Sequence, residues 1–152
     1  MSLELLLAPY KSQLVKGDTY QINTIEESFT LPKIYKDFLE NYSPTDTMCF
    51  KAKRLPINIC FQSPNNVNNL IDLSGLLVVA TEDLISDFFI MDVLKTDGED
   101  APIYYIPHDD DLAPRLLIAS SFKEFLTMSI NGEGIFEKIY QDDFEELVSE
   151  MK

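Results

Sequence analysis

The sequence predicts an α+β fold with a mostly antiparallel sheet, in one domain that spans residues 1–152. Amphipathic helix patterns lie towards both ends of the chain, and consecutive strand-like runs fill its middle. Strands and helices do not alternate regularly, which disfavours a parallel sheet. A chain of 152 residues has the length of one domain and buries enough surface to fold without a disulfide or a metal.

The clearest helix pattern begins at Leu31-Pro32 and ends at Pro44. Proline suits the first position of a helix because its missing N–H would have no partner there. Apolar residues follow at steps of three and four, which is typical of a helix with one face on a core. A shorter helical turn is expected before it, around Thr24–Phe29. The stripe consists of Leu31, Ile34, Tyr35, Phe38, Leu39 and Tyr42.

The middle of the chain predicts a series of short strands, since apolar residues there alternate or form short continuous runs. The connector at residues 95–100 is rich in turn-forming residues. The runs on either side of it are therefore expected to pair as an antiparallel hairpin. The predicted strands cover residues 47–51, 55–61, 76–80, 87–93, 103–106 and 116–119.

Two further helices are predicted after the strands. Ser121 and Glu124 form a capping box at the start of the first, and Asn131-Gly132 ends it. The last helix has acidic residues in its first turn, which interact favourably with the helix dipole. The apolar faces of the two helices consist of Phe122, Phe125, Leu126 and Ile130, and of Phe144, Leu147, Val148 and Met151.

Negative charge is distributed unevenly along the chain. The formal net charge is −14, of which residues 1–81 contribute −1 and residues 82–152 contribute −13. Such a surface repels the phosphates of nucleic acids and anionic membranes, so neither is an expected partner. It attracts basic proteins and accelerates their association. The alternative is that the acidity only keeps the protein soluble.

The sequence contains no recognisable catalytic constellation. His108 is the only histidine and precedes Asp109, Asp110 and Asp111, but adjacent residues in a loop rarely converge on one ion. Cys49 and Cys60 form no CxxC pair and are expected to be reduced residues of the core or the sheet. No phosphate-binding glycine loop occurs. We therefore expect no catalytic residues, cofactor or metal, and no enzymatic activity, a hydrolase centred on His108 being the least favoured alternative.

The chain shows no pattern for membrane insertion or export. No apolar run approaches the roughly 18 residues of a membrane-spanning helix. The run at residues 5–8 follows Glu4 and stops at Pro9, which is unlike a signal peptide. Together with the low cysteine content, this predicts a cytoplasmic protein.

Three blocks of the sequence follow one another in a recognisable order. Residues 25–39 contain a predicted short helix, a Leu-Pro pair and a Tyr-x-x-Phe-Leu helix. Residues 76–92 contain a predicted strand, a turn and a strand that ends in an acid. Residues 103–126 contain a predicted aromatic strand, a His-acid turn and an Ala-x-Ser-Phe-x-x-Phe-Leu helix. Together the three blocks resemble the SUKH superfamily of cell-wall-regulator-like and immunity-protein-like domains.

The resemblance implies a twisted antiparallel sheet with helices packed against it, and no shared catalytic residues. The matching residues are then part of the core, namely Leu31, Pro32, Tyr35, Phe38, Leu39, Phe122, Phe125 and Leu126. Bacterial members of the superfamily bind and neutralise a cognate toxin, frequently a nuclease, and other members are general interaction domains.

The leading functional hypothesis is therefore a non-enzymatic inhibitor whose acidic second half binds a protein toxin or another basic protein. The alternative is a regulatory or scaffold module with an unrelated protein partner. Carboxylates that pair with arginines of the partner would provide specificity. The candidate contacts are Asp97, Glu99, Asp100, Asp109, Asp110, Asp111, Asp142, Asp143, Glu145 and Glu146.

Overall fold

The computed structural model confirms the α+β class: helices at both ends of the described chain pack on an antiparallel sheet. It describes residues 2–17, 19–27, 30–45, 47–51, 58–62, 71–72, 76–82, 88–106 and 116–132. The α-helices within these ranges are α1 (Leu3–Leu7), α2 (Thr19–Glu26), α3 (Lys33–Asn41) and α4 (Phe122–Asn131). Short 3₁₀ helices cover Ala8–Gln13 and Val93–Lys95.

The described strands form one large sheet and one two-stranded sheet. The large sheet has the order β3-β4-β6-β7-β8-β9, and β5 also pairs with β6. β1 pairs with β2, and every pairing is antiparallel. The strands are β1 (Leu14–Val15), β2 (Ser43–Pro44), β3 (Thr47–Lys51), β4 (Asn58–Gln62), β5 (Ile71–Asp72), β6 (Leu76–Glu82), β7 (Phe88–Asp92), β8 (Ile103–Ile106) and β9 (Leu116–Ala119).

The hairpin predicted around residues 95–100 is confirmed, because β7 and β8 pair in antiparallel register from Phe88–Ile106 to Met91–Ile103. The first helix is displaced from its prediction: α2 begins at Thr19, five residues before the expected turn. Pro32 precedes α3 as its N-cap, and Pro44 belongs to β2 after the helix has ended. The predicted last helix lies outside the described residues.

Helix α4 has the predicted local signals at both ends. The Ser121 hydroxyl accepts a hydrogen bond from the Glu124 N–H at 3.1 Å. The Glu124 carboxylate reaches back to Ser120 instead of Ser121, accepting from its N–H at 3.1 Å. At the C-terminus, Gly132 takes a left-handed conformation with φ 72° and donates to the Met128 carbonyl. A left-handed C-terminal residue favours glycine because it has no Cβ to clash.

The core lies between the helices and the inner face of the sheet, and aromatic rings fill its centre. Phe122 of α4 contacts Tyr35 and Phe38 of α3 at ring-centroid distances of 4.9 and 5.0 Å. Phe61 of β4 lies 5.6 Å from Phe125. The eight residues that the resemblance placed in the core are all buried. These residues bring α3 and α4 together although about 90 residues of chain separate them, because packing in a hydrophobic core does not require that residues be close in sequence.

The cysteines depart from the sequence prediction. Cys49 on β3 and Cys60 on β4 are directly opposite each other and form a disulfide, so the expectation of two reduced thiols is wrong for this structure. Both are sheet residues, as expected, but they lie on the outer face, because Met48 and Phe50 beside Cys49 point into the core. Strand register creates this pairing, and a spacing of 11 residues does not reveal register.

Candidate interaction site

Three of the ten predicted partner contacts lie together in the loop between β7 and β8. Asp97, Glu99 and Asp100 belong to residues 96–101, which we call the acidic loop. The other seven predicted contacts lie outside the described residues: Asp109, Asp110, Asp111, Asp142, Asp143, Glu145 and Glu146. The geometry of the site is therefore that of the acidic loop and its surroundings.

Asp97 organises the acidic loop from within. Its Oδ1 atom accepts hydrogen bonds from the backbone N–H groups of Glu99 at 2.9 Å and Asp100 at 3.0 Å. Gly98, which lies between Asp97 and Glu99, has φ +97°, a conformation that favours glycine. Because backbone N–H groups of Asp100 and Glu99 stabilise the ionised form, the pKa of the Asp97 carboxyl is lowered from its ordinary value. The Asp97 carboxylate is therefore ionised at neutral pH, and the residue is exposed.

Asp100 holds the start of α4 from 22 residues away in the sequence. Its Oδ1 atom accepts from the Phe122 N–H at 2.6 Å and its Oδ2 atom from the Lys123 N–H at 3.1 Å. Oδ1 also accepts from Ala101 at 2.8 Å. The first N–H groups of a helix have no partner within the helix, and a carboxylate there also interacts favourably with the helix dipole. The Asp100 side chain is thus engaged in the fold.

The same loop also caps α3, through its backbone. The carbonyl oxygens of Gly98 and Glu99 accept hydrogen bonds from Lys33 at 3.2 Å and Ile34 at 2.8 Å. The Glu99 carboxylate lies 3.2 Å from the Lys33 ammonium group, with both side chains largely exposed. The loop therefore fastens two helix starts at once. The sequence predicted a hairpin connector here, and the double capping was missed because both helix starts are distant in the chain.

The outer face of the sheet carries a row of mostly apolar side chains. Four side chains are cross-strand neighbours from β6 to β9, namely Val78, Ile90, Tyr104 and Leu117. Val78 and Ile90 are buried, whereas Leu117 is 49% exposed. The Lys95 ammonium group bonds the Tyr104 hydroxyl at 3.1 Å and lies over its ring. Leu94 between this lysine and β7 is 73% exposed. Exposed apolar groups beside fixed charges are typical of protein interfaces.

The described part of the chain contains no group of three or more His, Cys, Asp and Glu side chains that could hold a metal ion. His108, the metal candidate of the sequence, lies outside that part. None of the described helices has the length and apolar character needed to cross a membrane. What the described arrangement offers chemically is charge, hydrogen-bond acceptors and apolar contact area.

A comparison with models of protein families identifies the family to which the chain belongs. The model of the SMI1/KNR4 family (SUKH-1) matches residues 20–128. The chain belongs to the SMI1/KNR4 family. The match includes all three blocks on which the sequence resemblance rests, and the acidic loop as well. No curated protein and no solved structure matches the chain. The SMI1/KNR4 match begins after α1, the first 3₁₀ helix and β1, so these elements lie outside the matched residues.

Proposed function

We propose that this SMI1/KNR4 domain is a non-enzymatic protein-binding domain that acts as an immunity protein and neutralises a basic toxin, such as a nuclease. One observation carries the proposal: residues 82–152 contribute −13 of the net charge of −14. Membership of a family that includes immunity proteins supports it.

The physical basis is competition for a basic surface. A nuclease must present lysines and arginines to the phosphates of its substrate. A carboxylate-rich protein can bind the same surface, and long-range attraction increases its association rate. Bidentate carboxylate–arginine pairs would then fix the orientation of the complex. The inhibitor needs no chemistry of its own in this mechanism.

The acidic loop shows how individual carboxylates would contribute. Glu99 and Asp97 are exposed and held at fixed positions, so they are available to arginines or lysines of the partner. Exposed Leu94 would supply an apolar anchor beside them. Asp100 would contribute indirectly, because its carboxylate is occupied by the first turn of α4.

The proposal places the domain in the cytoplasm, where an intracellular nuclease would act. Disulfides are rare in that compartment because thiols are kept reduced. Neither Cys49 nor Cys60, which form a disulfide in the structure, is among the proposed contacts. Binding of the toxin should accordingly be unaffected by a reductant such as dithiothreitol.

The test begins with the protein encoded immediately upstream of this chain. Cells that express that protein alone should stop growing, and co-expression of this chain should restore growth. The two proteins should also co-purify, with a dissociation constant that rises steeply with salt concentration. If the upstream protein is harmless but still forms the complex, the domain is a regulatory or scaffold module instead. If no complex forms, the toxin proposal is rejected.

Charge reversal separates specific contacts from overall charge. Replacing Asp109, Asp110 and Asp111 together by lysine should reduce the association rate at least tenfold and flatten its salt dependence. Control reversals at exposed Glu27, Asp37 and Glu40 change the net charge equally but lie in the nearly neutral half of the chain. Equal rates for the two triple variants would show that only overall charge matters. Unchanged kinetics would reject residues 109–111 as contacts.

Glu99→Lys tests the acidic loop by itself. The substitution replaces an exposed ion pair with Lys33 by two exposed ammonium groups, and such a surface change should leave the fold intact. We expect faster dissociation of the toxin complex, against Glu27→Lys as the matched control. Indistinguishable dissociation rates for the two variants would exclude Glu99 from the interface.

A further inference from the structure

Two apolar side chains are buried on the outer face of the sheet, although the core and the described helices lie on the other face. Val78 on β6 and Ile90 on β7 are directly opposite each other, and they are 9% and 4% exposed. The side chains packed against this pair are Phe88 and Tyr104, which are themselves only partly buried. Neighbours within the sheet shield the sides of an outward-pointing side chain, whereas its tip points away from the sheet. The burial of the pair indicates that another part of the chain lies over it.

The sequence after Gly132 has the composition of such a cover. Residues 133–152 are the longest range outside the described residues, and they contain the apolar stripe of the predicted last helix, from Phe144 to Met151. A stripe of this kind requires an apolar surface to be buried. A rise of about 1.5 Å per residue gives it a length of roughly 10 Å. The row from Val78 to Leu117 crosses four strands, which is about 14 Å at ~4.8 Å per strand spacing. The stripe therefore fits along the row.

The connection from α4 is long enough to reach the outer face. Helix α4 lies against both end strands of the large sheet, β3 and β9, so the chain that leaves it starts within reach of an edge. Between Gly132 and Phe144 the chain can extend by up to about 40 Å, at roughly 3.3 Å per residue. Layers that pack on a sheet are only about 10 Å from it. The segment can therefore pass around an edge of the sheet.

Charge favours this occupant over a second copy of the chain. Residues 133–152 contain seven acidic and two basic residues, and exposed basic side chains lie at the outer face. The Lys95 ammonium group lies over the Tyr104 ring, and exposed Lys51 points outwards on β3 because Phe50 beside it points into the core. Two copies that each carry a net charge of −14 repel each other. A segment of the same chain is instead present at an effective concentration in the millimolar range.

We propose that residues 142–151 dock on the outer face of the sheet as an amphipathic helix, with their apolar stripe over Val78 and Ile90. With 3.6 residues per turn, Asp142 and Glu146 then lie on the side of the helix opposite the stripe and face the solvent. The docking is independent of the proposed function. It would provide that function with two further carboxylates at fixed positions, since both residues are among the predicted partner contacts.

Methyl-selective nuclear magnetic resonance of the full chain tests the docking. We expect nuclear Overhauser contacts from the methyl groups of Leu147 and Val148 to those of Val78 and Ile90, unchanged on tenfold dilution. A soluble gadolinium chelate should broaden the Val78 and Ile90 methyl signals at least threefold less than those of Leu5, which is 65% exposed. Contacts found only between differently labelled chains in a mixed sample would identify a second copy as the occupant and overturn the proposal. Absence of the contacts would also overturn it: another segment covers the pair if both methyl groups are protected, and the face is open to a partner protein if they are not.

Variants in the full chain provide a second readout. Leu147→Asp puts a charge on the stripe, whereas Ser149→Asp adds the same charge on the opposite side of the predicted helix and is the matched control. Only the first should increase the gadolinium broadening of the Ile90 methyl signals, at least threefold. The melting-temperature losses of Val78→Ala and Leu147→Ala should sum to more than the loss of the double variant, whereas those of Leu5→Ala and Leu147→Ala should add. Equal broadening in the two aspartate variants, or additivity in both pairs, would contradict the docking. These measurements need no partner, so their failure leaves the proposed function standing.

Discussion

Asp100→Asn should destabilise the protein by about 2 kcal/mol. The carboxylate accepts backbone hydrogen bonds from Ala101, Phe122 and Lys123. In the variant the amide oxygen can replace Oδ1, but an NH₂ group then faces the Lys123 N–H. One charge-assisted hydrogen bond of about 1.5–3 kcal/mol is lost, together with roughly 0.3–1 kcal/mol of interaction with the helix dipole. Partial solvent access to the Lys123 N–H keeps the total near the lower end of this sum.

Urea unfolding at neutral pH, followed by circular dichroism, measures this change. Glu99→Gln is the matched control, because it removes the same charge from the neighbouring residue but only an exposed ion pair, worth less than about 1 kcal/mol. The slope of the unfolding curve should be the same for all three proteins. Amide hydrogen exchange at Phe122 and Lys123 should accelerate in the Asp100 variant alone. A loss of stability within about 0.5 kcal/mol of the control would refute the capping role, given the value expected for a lost cap.

Three further expectations concern the disulfide, the loop and the N-terminal segment. Reduction of Cys49–Cys60, separated by 11 residues, should lower the free energy of unfolding by about 3 kcal/mol through loop-closure entropy; the double serine variant should then be insensitive to dithiothreitol, and an unchanged melting temperature on reduction would contradict the estimate. Since the pKa of Asp97 is lowered in the folded protein, its stabilising effect is present above the unfolded pKa and is lost as pH falls through the folded value. Asp97→Asn should therefore show a smaller loss of stability below about pH 4 in urea titrations than the unmodified chain, and parallel profiles would contradict this. Gly17→Ala should destabilise by roughly 1–3 kcal/mol, measured by thermal unfolding, because the added Cβ would collide with the Leu39 carbonyl oxygen; a neutral effect would show that the N-terminal segment can move away from α3.

The elements that the sequence predicted best are those whose signals are local. Helix α4 has its cap, its apolar stripe and its closing glycine within about a dozen residues, and each signal acts on its immediate neighbours. The hairpin of β7 and β8 was predictable for the same reason, since one short connector joins two apolar runs. The start of α2 at Thr19 was missed because the helical turn was placed around Thr24–Phe29, although Asp18 directly before Thr19 is a residue type that helix N-caps favour.

The features that the sequence analysis missed depend on long-range register. Cys49 and Cys60 form a disulfide because β3 and β4 pair so that these two residues are directly opposite. Asp100 caps α4 because the loop after β7 lies at the helix start, 22 residues further along the chain. Both contacts require knowledge of which strands and helices are neighbours in space. A sequence pattern indicates which face is apolar but not which residue lies opposite.

The candidate site divides the acidic residues into two groups that composition alone cannot separate. The Asp100 carboxylate accepts hydrogen bonds from the first turn of α4. The Glu99 carboxylate is instead exposed on the surface. The two groups are nevertheless coupled, because the loop that carries both is fixed to α3 by backbone hydrogen bonds and to α4 by the Asp100 carboxylate. Fixed side chains lose less conformational entropy on binding than mobile ones. In the proposed complex, Asp100→Asn should therefore weaken the toxin's affinity without removing a contact, by loosening Glu99. Glu99→Lys at an intact loop should instead increase dissociation with no change in hydrogen exchange at α4. If Asp100→Asn left affinity unchanged while exchange at Phe122 accelerated, the loop's rigidity would have no part in recognition.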